Sequence, residues 1–355
     1  MRRSRQLLSL FLSLFILGGL LFFPTGPVWA WSGRAGWVFK GDAPFSSGVA
    51  ASDGLVLAGD NLGNLYAVHA ASGQQAWRYR GSNAIVGLPT VAGSRVFFAQ
   101  ADGTVTALDL KSGAVQWQYL PPEDSYGAET IVDSAAFGDD KVFVVKGDGK
   151  LYALSAANGQ TIWTYDAGLE LRSAPAFAEG LVLLGDQKGI FSAISPKTGK
   201  RMWGGGAGGA VNTPVAENGF VYFSAWDGSV QSVQIKGVIP QWKANVGDPV
   251  TTPPALEGDR LFVGTGNGKV VALNRKNGQT LWSFETDGGS VLAQPLPISG
   301  LVFVGAGNGT LFVLDTATGA ARYTFPTGGG INGSCAFMNG VLYLASSDGN
   351  LYSIF

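Results

Sequence analysis

Past residue 45 the chain repeats one pattern of apolar and polar positions. Residues 171–206, "LRSAPAFAEGLVLLGDQKGIFSAISPKTGKRMWGGG", show it whole. A small, apolar stretch at Ala174–Ala178 reads as a strand for a crowded centre, and "EG" turns the chain. "LVLLG" is a continuous apolar run, as expected of a strand buried on both faces. "DQKG" turns again, where other units carry "ADG", "GDG", "WDG", "GNG" or "SDG", pairs that favour type I′ hairpins. "IFSAIS" alternates as a third strand, "PKTG" turns, and "KRMW" forms an outer strand. Four antiparallel strands in about forty residues predict one propeller blade.

The glycine before each third strand recurs at 63, 103, 149, 189, 228, 268, 309 and 349, mostly 39 to 41 residues apart. Fourteen residues after each stands an aromatic: Trp77, Trp117, Trp163, Trp203, Trp242, Trp282 and Tyr323. The eighth would fall beyond Phe355. Its counterpart is Trp37, forty residues before Trp77, in "SGRAGW". The N-terminal strand therefore completes the last blade, because a ring with free ends exposes two sheet edges. The expected fold is all-β, an eight-bladed propeller. A small residue lies ten before each aromatic (Ala67, Ala107, Ala153, Ala193, Ser232 and Ala272) and is expected to be a flat seat on a neighbouring blade. Val313 with Tyr323 changes both partners together, a volume swap.

The N-terminus has another character. "MRRSRQ" is basic, "LLSLFLSLFILGGLLFF" is apolar, and "PTGPVWA" ends on small residues. This is the pattern of a signal peptide cut after Ala30, with an uncleaved anchor as the alternative. Residues 31–355 then form a single exported domain, periplasmic or extracellular, with no stable membrane anchor if the leader is removed. Its loss takes Arg2, Arg3 and Arg5 and leaves 21 basic against 25 acidic residues. That balance gives no footprint for nucleic acid. One cysteine, Cys335, excludes an internal disulfide, and one histidine, His69, argues against a zinc or haem site. A monomer held by packing alone is expected.

The pattern Ala-x-Asp-x-x-x-Gly-x-x-x-Trp, whole in "ALDLKSGAVQW", resembles the tryptophan-docking repeat of the pyrroloquinoline-quinone (PQQ) propeller family. The resemblance covers nearly all of residues 31–355. It implies one of two branches. Quinoprotein dehydrogenases bind PQQ and Ca²⁺, are much longer, and carry an adjacent Cys-Cys pair that one cysteine cannot supply. Non-enzymatic scaffolds, typified by the BamB-like propeller of outer-membrane assembly, match in length and blade number, although the lipid-anchoring Cys is missing here.

The scaffold branch implies an envelope protein partner and no cofactor. The alternatives are a small PQQ- and calcium-dependent dehydrogenase and an extracytoplasmic ligand sensor.

Candidate sites follow from propeller geometry, in which ligands meet the mouth of the central channel. Most residues where the chain enters the inner strands are small or apolar, but Asp133, Arg172 and Asn212 are polar, with Asn332 opposite. They form either a ligand cluster or an ion pair in a watered channel. A six-residue insertion in "PPEDSYGAE" places Pro121, Glu123, Asp124 and Tyr126 on the same face, as a contact loop or a tolerated insertion. Trp226 occupies a hairpin turn where other units carry Ala, Gly, Asn, Gln or Ser. It reads as an interface aromatic or as a lid on the next blade. "GTGNGK" and "GAGNGT" lie between strands and lack the helix a phosphate loop needs. No catalytic residue and no metal site is indicated.

Overall fold

The computed structural model describes residues 32–120, 134–171 and 173–355. Every regular element among them is a strand. The strands form eight antiparallel sheets of four. Blades 1 to 7 occupy residues 50–80, 85–119, 136–166, 176–206, 215–245, 255–285 and 296–326. Blade 8 takes three strands from Ala336–Met338, Val341–Ala345 and Asn350–Ile354. Its outer strand is Ala35–Lys40, paired from Ala35↔Ile354 to Lys40↔Asn350. The expected closure by the N-terminal strand is what the chain does. The Ser32 amide donates to the Phe355 carbonyl (2.9 Å) and the Phe355 amide to that of Arg34 (3.0 Å), extending the seam to the last residue.

The second strand of each blade carries the core. In blade 4, Val182–Gly185 are buried throughout, as the continuous apolar run requires. Apolar clusters lie between neighbouring blades: Phe97, Trp117, Val142 and Leu154 join blades 2 and 3, for example. Each blade therefore buries both faces, and the ring is held by sheet-on-sheet packing.

Turn chemistry divides differently from the expectation. Positive φ at two consecutive residues, the mark of type I′, occurs in the hairpin between inner and second strands: Asp53-Gly54, Glu179-Gly180, Asn218-Gly219, Ser299-Gly300 and Asn339-Gly340. In the next hairpin only the glycine is left-handed, as at Gly103, Gly149, Gly228 and Gly349. The preceding aspartate serves there as an acceptor. Asp102, Asp148, Asp227 and Asp348 each take, through Oδ1, the amide two residues on, at 2.8–3.0 Å.

Six of the eight aromatics (Trp37, Trp77, Trp117, Trp163, Trp242 and Trp282) dock on the next blade, but not on its alanines, while Tyr323 is 43% exposed. Ala67, Ala107, Ala153, Ala193 and Ala272 lie directly opposite Trp77, Trp117, Trp163, Trp203 and Trp282 within the same blade. Ser232 pairs with Trp242, and Val313 with Tyr323, in the same way. A bulge follows each pairing, so the outer strand turns its ring toward the next blade. The seat there is a left-handed glycine. A Cβ on Gly73, Gly113, Gly159, Gly199, Gly278 or Gly319 would come within 2.5–2.7 Å of Trp37, Trp77, Trp117, Trp163, Trp242 or Trp282. The same six indoles donate to carbonyls of the next blade: Ala70, Leu110, Ala156, Pro196, Arg275 and Thr316, at 2.8–3.0 Å. Trp203 is the exception. Gly237 stands five rather than four residues before Trp242, and a Cβ on it would meet only Ile239. Trp203 packs on Phe191 of its own blade, at 5.2 Å between ring centroids.

Candidate binding surface at the channel mouth

The mouth lies on the face bearing the second hairpins, where an outer strand hands the chain to the next inner strand. Seven crossings among the described residues first bury a bulky residue between blades: Phe45, Ile85, Leu171, Val211, Val250, Val291 and Ile331. Several bridge to the residue that opens the second hairpin, as in Leu171↔Asp186, Val211↔Ala225 and Val250↔Thr265. The residue that follows each of these is the candidate mouth position. By this register Asn212 is level with Thr251, Leu292 and Asn332.

Asn212 is buried, and its amide is committed inward. Nδ2 donates to Ser224 Oγ (3.0 Å) and to the Val250 carbonyl (2.9 Å). Oδ1 accepts the indole N–H of Trp226 at 3.2 Å. Two residues singled out separately in the sequence are therefore one unit. Trp226 remains 58% exposed, with its nitrogen tethered and its ring presented to solvent. Its peptide is held as well, the Trp226 amide donating to the Ala210 carbonyl (3.0 Å). Asn332 is exposed. Leu292, not singled out in the sequence, is 45% exposed and adds apolar surface. Asp133, Arg172, Pro121, Glu123, Asp124 and Tyr126 lie outside the described residues.

Other polar groups at the crossings tie strands together. Ser47 and Thr252 hydroxyls accept the amides of Gly59 (2.6 Å) and Gly264 (2.8 Å). Near the axis, the Gly48 amide donates to the Gly87 carbonyl, the Val49 amide to the Ser334 carbonyl, and the Leu88 amide to Ser134 Oγ. Blades 8, 1, 2 and 3 are thus stitched directly around the centre. On the rim, Lys269 Nζ donates to Asp248 Oδ2 (2.7 Å), which lowers the carboxyl pKa and raises that of the lysine.

A charged residue the sequence reading passed over is Lys146, fully buried between blades 2 and 3. Its Nζ lies 4.9 and 4.7 Å from the ring centres of Tyr119 and Tyr152 and 3.4 Å from the Tyr119 hydroxyl. Two aromatic faces stabilise the ammonium there. The available signal was positional: sister blades carry Asp60, Gln100 and Asp186 at this place. Burial pushes the Cys335 thiol up to about 12, so it is neutral at any physiological pH. His69 ends a third strand at the surface.

The described residues of the mouth do not fit PQQ with Ca²⁺. No three His, Cys, Asp or Glu side chains among them gather to hold an ion, and the Asn212 amide is spent on Ser224 and Val250. What they include is one exposed, oriented aromatic, Trp226, tethered to Asn212.

Fold and surface define an eight-bladed, PQQ-like propeller. The family profile described as outer membrane protein assembly factor BamB matches residues 28–167, 123–218 and 226–355, and the chain belongs to that family. The BamB protein of Yersinia pestis is 27% identical over 256 residues, 64% of this chain and 63% of that one, so the match spans under two thirds of that relative's length. The Escherichia coli K12 protein is 26% identical over 355 residues, 92% of this chain and 88% of that one. Similarity extends to quinone-dependent enzymes: the quinohemoprotein alcohol dehydrogenase ADH-IIG of Pseudomonas putida is 25% identical over 63% of this chain and 37% of its own. In structure, BamB from Moraxella catarrhalis superposes with a TM-score of 0.79 at 21% identity, covering 91% of this chain and 99% of that one.

Proposed function

We propose that this chain is an exported, non-catalytic scaffold of the cell envelope that serves outer-membrane protein assembly by binding another envelope protein through its channel-mouth face. The observation that carries the reading is Trp226, 58% exposed yet fixed through its indole nitrogen to buried Asn212. A rigid exposed aromatic offers contact area at low entropic cost, as interface anchors do. Arg172, Asp133, Asn332 and the loop with Pro121, Glu123, Asp124 and Tyr126 complete the proposed contact surface. Residues 1–30 act as the export leader, and the protein works as a periplasmic monomer.

The test is in cells. A strain lacking the protein is complemented with wild type, with Trp226→Ala, and with Asn218→Ala on the opposite face. Outer-membrane β-barrel levels are then measured. Wild type and Asn218→Ala restore them, whereas Trp226→Ala, expressed at equal level, does not. Equal restoration by both variants sinks the assignment of the face. Calorimetric titration with PQQ and Ca²⁺ tests the enzymatic branch: the scaffold reading expects no heat, and 1:1 binding at about micromolar strength overturns it.

A further inference from the structure

The groove between blades 3 and 4 lacks a ring pair that four of its sister grooves carry. In four of the other seven grooves an aromatic two residues past the docking position meets a ring on the third strand of the next blade, while Thr106, Gln231 and Val271 hold the third-strand place in the remaining three. Phe39 meets Tyr66, Tyr119 meets Tyr152, Phe284 meets Phe312 and Phe325 meets Tyr352, with centroids 5.3–6.3 Å apart. Between blades 3 and 4 the first ring is Tyr165, but the third-strand residue is Ser192. A cavity of about 150 Å³ takes the place of the missing ring, lined by Tyr165, Leu171, Leu184, Asp186, Ser192 and Arg201. That is room for roughly five waters by volume.

Asp186 shows what the cavity lacks. Its equivalent in blade 1 is Asp60, and both carboxylates use Oδ1 alike. Asp60 Oδ1 takes the amides of Leu62 and Asn64, and Asp186 Oδ1 those of Lys188 and Ile190. The second oxygens differ. Asp60 Oδ2 accepts Asn64 Nδ2 (2.7 Å) and the Tyr66 hydroxyl (3.1 Å). Ile190 and Ser192 stand at those two places in blade 4, so Asp186 Oδ2 meets no donor among the described residues. Asp186 is only 6% exposed and borders the cavity. Its Oδ2, not engaged by the protein, is free to accept a hydrogen bond from a molecule in the cavity.

On the outer wall, Arg201 is exposed to solvent and makes no ion pair with Asp186. Its guanidinium crosses Gly204, where a Cβ would lie 2.2 Å from its terminal nitrogen. The cavity thus offers an anion and a cation, unpaired with each other, on a floor of Leu171, Leu184 and Ile190. We propose that it binds a small zwitterion, a free α-amino acid with a short apolar side chain. The ammonium donates to Asp186, the carboxylate accepts from Arg201, and the side chain rests on the leucines. Water can serve either charge but leaves the apolar floor wet, and a molecule with one charge serves one pole.

The test is calorimetric titration of the whole protein with L-valine, with isobutylamine and isobutyrate as single-charge controls. Saturable 1:1 binding of L-valine is expected, at least about tenfold tighter than either control. Asp186→Asn keeps the Oδ1 cap and weakens binding about tenfold or more. Arg201→Gln, at an exposed position, brings L-valine down to the level of isobutylamine. Ser192→Tyr rebuilds the arrangement around Asp60, abolishes binding and leaves the thermal midpoint at or above wild type. Absence of L-valine binding up to about 10 mM, isobutylamine binding as tight as L-valine, or undiminished binding by folded Ser192→Tyr each overturns the proposal. None of these results bears on the channel-mouth reading, which rests on Trp226.

Discussion

Gly113→Ala tests what holds neighbouring blades together. The added methyl would lie 2.7 Å from Trp77 Cδ2, on a residue with φ of +71°. Two costs arise, and a control separates them. Gly93 of the same blade also has positive φ (+57°), and a Cβ there meets nothing within 4 Å. Gly93→Ala therefore reports the left-handed strain alone, about 1–2 kcal/mol. Gly113→Ala adds displacement of the indole. Full undocking of a Trp, burying some 150–250 Å², costs about 4–6 kcal/mol at ~25 cal/mol/Å². A shift of about 1 Å forfeits up to about half of the contact energy. It also breaks the Trp77–Leu110 hydrogen bond (2.9 Å), worth about 1 kcal/mol. The excess over the control is thus ~2–4 kcal/mol. With an unfolding entropy of about 2.1 cal/mol/K per residue, a domain of ~320 residues falls by ~3–6 °C beyond Gly93→Ala. Thermal unfolding followed by circular dichroism is the assay. Midpoints within about 1 °C of each other refute the glycine seat as the load on the indole.

Arg275 ties blade 6 to blade 5. It pairs with Glu217, donates to the Tyr222 hydroxyl (2.9 Å) and lies over that ring at 5.0 Å. Arg275→Ala strands a mostly buried carboxylate and is expected to cost ~3–5 kcal/mol in chemical denaturation, while Arg275→Ala with Glu217→Ala recovers part of the loss. Asp315 carries a pH signature. The hydrogen bond from Arg322 lowers its pKa from 3.8 to about 2. A depressed folded value means the contribution is complete above the unfolded pKa and lost as pH falls from about 4 toward 2. Because Arg322 is half exposed, the amount is about 1 kcal/mol after screening. Asp315→Asn should flatten that part of the stability–pH curve, and an unchanged acid slope contradicts it.

Much of the architecture was legible because it is local. Alternating and continuous apolar runs between turn residues, repeated at a fixed spacing, specify four-stranded units, and a tryptophan without a hairpin at Trp37 specifies how the ring closes. The seat of the indoles was not legible. Ala193 and Trp203 are ten residues apart, and the sequence alone does not say whether they meet across one blade or between two. The bulge after Ala193 settles that by turning the ring outward. The Asp-Gly pairs likewise looked like type I′ turns, but their aspartates accept backbone amides and leave only the glycine left-handed. At the mouth, Asn212 and Trp226 each stood out as a departure from the repeat. That they bond to each other depends on which way a buried amide points.

By itself the sequence determined the strand count, the blade count and the closure, since these follow from periodicity and from the need to leave no sheet edge free. Tertiary structure decided the rest: which glycine receives each of six tryptophans, why Trp203 lacks such a seat, and why both oxygens of Asp60 have protein donors while only one of Asp186 does. Each of these turns on side chains brought together from different strands or different blades. A repeat conserves the frame, but the fit between adjoining units is set by the particular pair of residues that meet.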